Sequence, residues 1–263
     1  MRLLVASSAG EFGALAADIV QAQLETRPDS VLALPTGSTP LDLYAQLRAR
    51  GAAGACRLDM VRCFNLDEYV GLDSADPASY AAFLDTQLFQ PARVPRANIR
   101  LLRGDAGDLD RECTGYEAAL AAAGGIDLAI LGLGANGHIA FNEPGTPWNS
   151  GTHVVRLASE TRAANARTFP PGRSVPRYGI TMGIGTLLKA RSLLLLVSAE
   201  SKRAALAALL SGTPDVAWPA TSLHTHPALV IICAAGLGAT GAQPVSAPAC
   251  DPRPEGHASR RQR

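Results

Sequence analysis

Several features that mark other classes of protein are missing from this sequence. Its charge is nearly balanced, with 24 Lys and Arg against 23 Asp and Glu and a formal net charge of +1. Binding to nucleic acid or to an anionic membrane needs a strongly basic surface, so we expect neither partner. The longest apolar run, residues 228–235, is too short to cross a bilayer. A small molecule is therefore the expected partner.

Cysteine pairs are missing as well. The five cysteines are scattered and never spaced as CxxC: Cys56, Cys63, Cys113, Cys233 and Cys250. This pattern favours reduced thiols in a cytoplasmic protein over a disulfide framework or a zinc site. The N-terminal stretch MRLLVASSAGEFG has only a brief apolar run, so we expect no export signal. We predict a cytoplasmic location and no metal.

What the sequence does have is an alternation of two patterns. Short β-branched or leucine-rich runs alternate with longer alanine-rich stretches of helical period, which is typical of βα units. We predict a single-domain α/β fold with an open, doubly wound, mostly parallel sheet flanked by helices (Rossmann-like). The predicted strands are 3–6, 31–34, 60–65, 98–102, 126–131, 153–157, 193–197 and 229–233. The predicted helices are 12–24, 40–50, 79–89, 109–123 and 201–210.

The two patterns end near residue 235. Residues 236–263 are rich in Ala, Gly, Pro and Arg and have too little apolar content to bury, so we predict a disordered tail behind a catalytic domain of residues 1–235. In sheets of this kind ligands bind outside the carboxyl ends of the strands. Functional residues are therefore expected in the loops that follow strands.

The first such loop is LPTGSTP, between a buried strand and an amphipathic helix. Thr39 is predicted to cap the helix and Pro40 to occupy its first position, so that the helix amides face the loop. Thr36, Gly37, Ser38 and Thr39 could then hold a phosphate through amides and hydroxyls. The loop lacks the lysine of a Walker motif. An ordinary capped turn is the alternative.

A second loop, SAESKR, again joins a strand to a helix. Lys202 and Arg203 fall in the first helical turn, where the helix dipole disfavours cations, and this suggests a bound anion. Arg167, on a predicted helical stretch at 161–169, is a third candidate for the anion site. The alternative for all three residues is a solvated surface.

The third motif, FNLDEYVGL, ends an apolar strand with Asp67 and Glu68. Adjacent residues at a strand end point in different directions, so one carboxylate can face the crevice while the other faces the protein or solvent. Apolar neighbours would raise the pKa of a partly buried carboxylate and suit it to act as a general base. A cap or turn is the alternative.

The fourth motif is LGLGANGHIAFNEPG. Gly132, Gly134 and Gly137 satisfy GxGxxG, but the proline and glycine that follow leave no room for the helix that a dinucleotide site requires. We therefore predict no dinucleotide cofactor. The glycines instead are expected to let the backbone approach a ligand closely. They also place His138 and Glu143 in one loop, where the carboxylate could orient and charge the imidazole.

Taken in order, these motifs and the later ITMGIGTLLKAR resemble the glucosamine-6-phosphate deaminase (isomerase) family, from the N-terminus to about Val230. The related 6-phosphogluconolactonases share the fold and the phosphate loop, but they typically have DER in place of DEY and GHTAS in place of GHIAF. This chain has the deaminase form at both places.

The resemblance implies a cofactor-free conversion of an amino-sugar phosphate to fructose 6-phosphate and ammonia. It makes Asp67 the base that moves a proton from C2 to C1, His138 the residue that assists ring opening, and Glu143 its relay partner. It assigns the phosphate clamp to Thr36, Gly37, Ser38, Arg167 and Lys202.

Two positions depart from well-known members of that family. Asn136, in the relay, stands where several members have Asp, although other members also have Asn. Allosteric members have basic residues shortly after NEPG and an extended C-terminal portion, which together bind an acetylated sugar phosphate. Here the first region has His153 and Val155, and the C-terminus differs altogether. We therefore expect no such activation.

Other functions stay open at this point. A galactosamine-6-phosphate deaminase would share the clamp and the base, and the sequence does not distinguish the two epimers. A 6-phosphogluconolactonase and a non-catalytic sugar-phosphate sensor are further alternatives. Family members range from monomers to hexamers, so a homo-oligomer is also among the expectations.

Overall fold

The computed structural model describes residues 1–237, so that all but the first two residues of the predicted tail lie outside the described part. Two sheets are present in residues 1–237. Their strands are β1 (Arg2–Ala6), β2 (Val31–Leu34), β3 (Arg62–Asn65), β4 (Asp67–Tyr69), β5 (Ile99–Arg100), β6 (Leu128–Gly132), β7 (His153–Arg156), β8 (Tyr178–Thr181), β9 (Ser192–Val197) and β10 (Leu229–Ala234).

The larger sheet has seven strands in the order β1-β10-β9-β6-β2-β3-β5. All of its strand pairs are parallel, which confirms the predicted doubly wound α/β fold. From β2 the chain moves outward through β3 to β5, and from β6 it moves the other way through β9 to β10. The direction therefore reverses between β2 and β6, and such a switch point opens a crevice at the carboxyl ends of the strands.

Helices cover both faces of this sheet. They are α1 (Ala9–Thr26), α2 (Leu41–Ala52), α3 (Tyr80–Leu84), α4 (Leu109–Ala122), α5 (Ser159–Asn165), α6 (Ile184–Leu187) and α7 (Arg203–Leu210). Side chains cap the N-termini of several helices: the Ser8 side chain accepts a hydrogen bond from the Glu11 amide at 3.2 Å, and the Asp108 side chain accepts one from the Arg111 amide at 2.9 Å. These are N-caps of the expected type.

The core is divided by the sheet into two apolar layers. In β2, Val31 and Ala33 pack into the layer that contains α4 and α7, whereas Leu32 and Leu34 pack into the layer that contains α1 and α2. Strands that bury both faces in this way need continuous apolar runs, which is why four-residue VLAL is recognisable as a central strand. The four cysteines within residues 1–237 are free and buried. Within the same residues, no helix is long and apolar enough to cross a membrane.

The second sheet was not predicted. It is antiparallel, in the order β4-β8-β7, and it pairs Asp67 with Thr181. The predicted strand at 153–157 exists as β7, but it lies in this small sheet and not in the parallel one.

Other bounds also differ from the predicted ones. The strand expected at 98–102 shrinks to the two residues of β5, after a 3₁₀ turn at Arg96–Asn98. The helix expected at 79–89 changes after α3 to a π-helical turn at Asp85–Phe89. The stretch expected at 161–169 is α5 followed by a 3₁₀ turn at Ala166–Thr168.

Candidate active site

Four of the loops selected from the sequence meet at one edge of the molecule. They follow β9, β6, β2 and β3, which are four consecutive strands of the parallel sheet. Because all four strands are parallel, their carboxyl ends lie side by side across the switch point. The sheet order therefore brings together Lys202, the His138 loop, the Thr36 loop and Asp67.

The Thr36 loop enters the site from a rigid base. The buried Tyr44 donates its hydroxyl to the Pro35 carbonyl at 2.6 Å, and this anchors the start of the loop. The predicted cap was wrong: α2 begins at Leu41, Pro40 takes the N-cap position, and no side chain caps the helix. Thr39 thus makes no capping bond because the helix starts one residue later than expected.

The two cations of the loop after β9 have different surroundings. Arg203 forms a surface ion pair with Glu200, with an Nη2–Oε2 distance of 2.8 Å, so for this residue the solvated alternative is correct. Lys202 lies in a 3₁₀ turn at Glu200–Lys202 and is half-buried. Burial lowers the pKa of its amine, and the nearby positive charge of Arg167 lowers it further. Two like charges brought together in this way favour a bound anion between them.

Asp67 and Glu68 point to different sides of β4, as predicted. The Glu68 carboxylate faces the protein and accepts the backbone amides of Tyr69, Tyr80 and Ala81 at 2.8–3.0 Å. It thereby joins β4 to the start of α3. Burial raises the pKa of Glu68 to about 7, although these hydrogen bonds oppose the rise.

Asp67 has no such partners. Its residue is only 6% exposed, and no hydrogen-bond donor among residues 1–237 reaches its carboxylate. Burial raises the pKa of Asp67 well above its usual range, and the negative charge of Glu68 adds to the rise. A largely buried carboxylate with no hydrogen-bond donor from the protein is suited to accept a proton from a ligand.

The backbone of Asp67 is held by a residue that the sequence reasoning missed. Asn65 is fully buried, and its Nδ2 donates to the Asp67 carbonyl at 2.7 Å. Its Oδ1 accepts the Leu102 amide at 2.8 Å and the Tyr116 hydroxyl at 3.1 Å. Asn65 thus fixes the point at which the chain leaves the parallel sheet for the small one. A buried amide at the end of an apolar strand was the available signal.

His138 and Glu143 do lie together in the loop after β6. Nδ1 of His138 is 3.5 Å from Oε2 of Glu143, and the Thr161 hydroxyl is 3.3 Å from the same nitrogen. Oε2 of Glu143 also accepts the Asn136 side-chain amide at 2.8 Å, and Oε1 accepts the Ala158 amide at 3.0 Å. Glu143 is therefore oriented from both of its oxygens.

These contacts decide the charge of Glu143. Burial by itself raises the pKa of its carboxyl group, but hydrogen bonds and the charge of His138 outweigh burial and lower the pKa to about 2. At neutral pH an ionised carboxylate therefore faces the imidazole. Asn136 contributes a neutral amide donor to this carboxylate, and its Oδ1 accepts the His138 backbone amide at 3.2 Å.

Two of the three glycines of the motif make room for protein side chains, whereas a Cβ at Gly132 would meet no atom within 4 Å. A Cβ at Gly134 would lie 2.4 Å from Cδ2 of His138, and a Cβ at Gly137 would lie 2.7 Å from Cε3 of Trp218. Gly137 also has a φ of +84°, which favours glycine. The glycine spacing therefore makes room for the imidazole and for Trp218.

The site thus combines two functions. The loops after β9 and β2 carry Lys202, with Arg167 nearby, and Thr36, and the loops after β6 and β3 carry the His138–Glu143 pair and Asp67. Such an arrangement can bind an anionic group at a distance from the atoms on which acid–base chemistry takes place. Within residues 1–237, no group of three or more His, Cys, Asp or Glu side chains is arranged to hold a metal ion.

Comparison with known proteins gives a consistent result. The family model for glucosamine-6-phosphate isomerases/6-phosphogluconolactonase matches residues 6–231. A glucosamine-6-phosphate deaminase of Geobacillus sp. (strain WCH70) is 45% identical over 232 residues, which are 88% of this chain and 92% of the relative. A glucosamine-6-phosphate deaminase of Shewanella loihica is 44% identical over 88% of this chain and 87% of the relative.

Two solved structures are also similar to this chain. A monomeric glucosamine-6-phosphate deaminase superimposes with a TM-score of 0.88 at 39% identity, over 90% of this chain and 98% of the other. The 6-phosphogluconolactonase of Thermotoga maritima superimposes with a TM-score of 0.71 at 20% identity, over 89% of this chain and 99% of the other. The second similarity is one of fold alone.

Proposed function

The chain belongs to the family of glucosamine-6-phosphate isomerases and 6-phosphogluconolactonases, and on that premise we propose that it converts glucosamine 6-phosphate and water to fructose 6-phosphate and ammonia. The observation that carries the proposal is Asp67. A buried carboxylate with a raised pKa and no protein partner stands at the carboxyl edge of the parallel sheet, where the loops that carry the cations and the His138–Glu143 pair also lie.

The phosphate group is the anchor in this proposal. Lys202 and Arg167 supply the charge, and Thr36, Gly37 and Ser38 supply hydroxyls and amides. Thr39 belongs to the same loop and stays a candidate contact. A phosphate bound here contributes binding energy remote from the reacting carbons, and that energy holds C1 and C2 at Asp67.

Ring opening is the role of the loop after β6. His138 transfers a proton between the anomeric hydroxyl and the ring oxygen, and the ionised Glu143, 3.5 Å from its Nδ1, orients the imidazole. Asn136 orients Glu143 and carries no charge of its own. The relay is therefore built with one carboxylate.

Asp67 then acts on the open-chain sugar. Its carboxylate removes the C2 proton while O1 takes up a proton from solvent, which gives an enolamine, and it then returns the first proton to C1 from the same face. The product is an iminium ion at C2, which water hydrolyses to the ketone and an ammonium ion. One base can serve both transfers because its pKa is raised from the usual aspartic acid range.

The other candidates are less well supported. Relatives at 40–45% identity are glucosamine-6-phosphate deaminases, whereas lactonase structures are about half as similar in sequence. A sugar-phosphate sensor has no need of a base such as Asp67. Galactosamine 6-phosphate differs only at C4, so the preference between epimers rests on the names of the relatives.

The experiment is a coupled assay for ammonia with purified protein. Glucosamine 6-phosphate should give ammonia and fructose 6-phosphate faster than galactosamine 6-phosphate does, and 6-phosphogluconolactone should give no turnover above its spontaneous hydrolysis. Asp67→Asn should lower kcat by about 10²–10⁴-fold, the usual contribution of a general base, and leave phosphate affinity nearly unchanged.

The control is Asp110→Asn, which removes an exposed carboxylate from α4 and should leave kcat unchanged. Equal sugar-phosphate binding by the wild type and by Asp67→Asn, with no turnover by either protein, would identify a sensor. Lactone hydrolysis without ammonia release would identify a lactonase.

A further inference from the structure

Arg167, which binds the phosphate in the proposed function, lies on a short and exposed segment. It is exposed and lies on a single 3₁₀ turn, Ala166–Thr168, at the end of the short helix α5. A long side chain on such a turn loses considerable conformational entropy when it is held in one place. The turn itself must therefore be fixed from outside if Arg167 is to sit in a defined position relative to Asp67.

The residue before that turn makes the required contact. Nδ2 of Asn165 donates to the Tyr69 hydroxyl at 2.9 Å and lies 3.5 Å from the Tyr80 hydroxyl. The two hydroxyls are 3.1 Å apart, and either can be the donor. Tyr69 is fully buried and lies in β4, two residues after Asp67. The turn that carries Arg167 is thereby tied to the strand that carries the base.

The two tyrosines also belong to one aromatic cluster. The ring centroids of Tyr69 and Tyr80 are 4.7 Å apart, and the centroid of Phe141 lies 5.3 Å from that of Tyr69 and 5.6 Å from that of Tyr80. Asn165, Tyr69 and Tyr80 thus form one chain of side chains that begins two residues before Arg167 and reaches β4, the strand of Asp67.

We propose that Asn165 is a positioning residue: through Tyr69 and Tyr80 it sets the place of Arg167 relative to Asp67, and so sets the affinity for the phosphate group. This inference rests on the proposed function for the identity of the anion, a sugar phosphate. Asn165 touches no reacting atom, so its effect falls on binding more than on the chemical step.

Two other contacts join the same segments, and they allow a controlled test. The Phe169 ring packs edge-on against Tyr69 with centroids 5.2 Å apart, which supplies apolar contact without a directional bond. Arg173 and Asp76 form an ion pair at the surface, where such pairs contribute little. Of these three contacts, the one from Asn165 is the hydrogen bond to the buried Tyr69 hydroxyl, which also bonds to the Tyr80 hydroxyl.

The test measures binding of glucitol 6-phosphate by calorimetry. This open-chain sugar phosphate has no carbonyl and does not react, so binding is separated from turnover. Asn165→Ala and Tyr69→Phe should each weaken binding by about five- to tenfold, the loss expected for one hydrogen bond, while kcat at saturating glucosamine 6-phosphate changes less. Arg173→Ala, the control, should change binding by less than about twofold.

The double variant Asn165→Ala/Tyr69→Phe decides whether the two residues act through one bond. Its loss of affinity should be smaller than the product of the two single losses, because both changes remove the same Asn165–Tyr69 hydrogen bond, while Tyr69→Phe also removes the bond to Tyr80. Multiplied losses, or wild-type affinity in both single variants, overturn the inference. Tyr69→Phe keeps the ring in the aromatic cluster, so the test stands even if Asn165→Ala does not fold. A wild type that binds no sugar phosphate overturns the proposed function instead.

Discussion

The neighbouring acids Asp67 and Glu68 differ in role because their surroundings in the folded protein differ. Glu68 and Asp67 are both buried in β4, and burial raises the pKa of both. Three backbone amides donate to the Glu68 carboxylate, whereas none donates to the Asp67 carboxylate. Burying a carboxyl group without donors disfavours its ionised form, so the ionised Asp67 costs the folded protein stability.

That cost predicts a stability effect at Asp67 with a definite pH dependence. Because its pKa is raised in the folded state, its contribution to stability is complete below the usual aspartic acid pKa of about 4 and is lost as pH rises through the folded-state value. Asp67→Asn does not titrate and avoids this loss. At pH 8 the variant should be more stable by roughly 0.5–2 kcal/mol, the usual range for relieving a strained active site.

Urea denaturation of both proteins between pH 4.5 and pH 8 measures the effect. The difference in free energy of unfolding should grow with pH and then level off. Asp110→Asn, at the exposed position, should show no such growth. A variant that is less stable than the wild type at pH 8 would mean that the ionised Asp67 is stabilised by contacts other than those described.

At the scale of elements, strands that are continuous apolar runs can be predicted from the sequence, whereas very short strands that contain polar residues cannot. The parallel strands β2, β9 and β10 were predicted to within one residue because each is a continuous apolar run. Strands β4 and β8 were missed. Three or four residues carry no usable period, and their pairing depends on residues more than a hundred positions apart.

The same limit applies to the residues that support the site. The motifs identified Asp67, His138 and Glu143 because charged groups after strands are conspicuous. Asn65, Thr161 and Asn165 act by hydrogen bonds to partners distant in the chain, and nothing in a local pattern predicts those partners. A buried polar side chain gains its meaning only from the fold around it.

A prediction at the scale of elements concerns Asn65, because its hydrogen bonds join β3, β4 and α4. Asn65→Ala removes the donor to the Asp67 carbonyl and the acceptor for the Leu102 amide, which leaves these two buried groups unpaired, while the Tyr116 hydroxyl keeps the Asn65 backbone carbonyl at 2.6 Å. We expect a loss of about 2–4 kcal/mol in the free energy of unfolding, the sum of two such groups. We also expect a lower kcat in the folded fraction, because the backbone of Asp67 loses its support.

A matched control is Asn98→Ala, which removes one hydrogen bond from an exposed amide to the Asp59 carbonyl at 3.0 Å. That variant should lose at most about 0.5 kcal/mol, as surface substitutions do, and keep full activity. Unfolding by urea and ammonia release measured on the same samples compare the two. Equal stability losses at the two positions would show that Asn65 has no special role.

For the whole molecule, strand order decides where function is located. Motifs that lie far apart in the chain, near Thr36 and near Lys202, belong to strands β2 and β9, with only β6 between them. The sequence predicted a doubly wound sheet with ligands at its carboxyl edge, but not the strand order that places the four loops side by side. The monomeric relative gives the expected homo-oligomer no support.

The last prediction concerns regulation. The position where allosteric members of the family have basic residues carries His153, whose Nδ1 lies 2.8 Å from the Gly151 carbonyl, and Val155, which packs against the apolar cluster around Tyr69. An apolar side chain that helps to hold the core has no means of binding a second phosphate. We therefore expect hyperbolic kinetics with glucosamine 6-phosphate that N-acetylglucosamine 6-phosphate does not activate. Initial rates measured across the substrate range, with and without that compound, are the test, and sigmoidal curves that it straightens would place an effector site elsewhere in the chain.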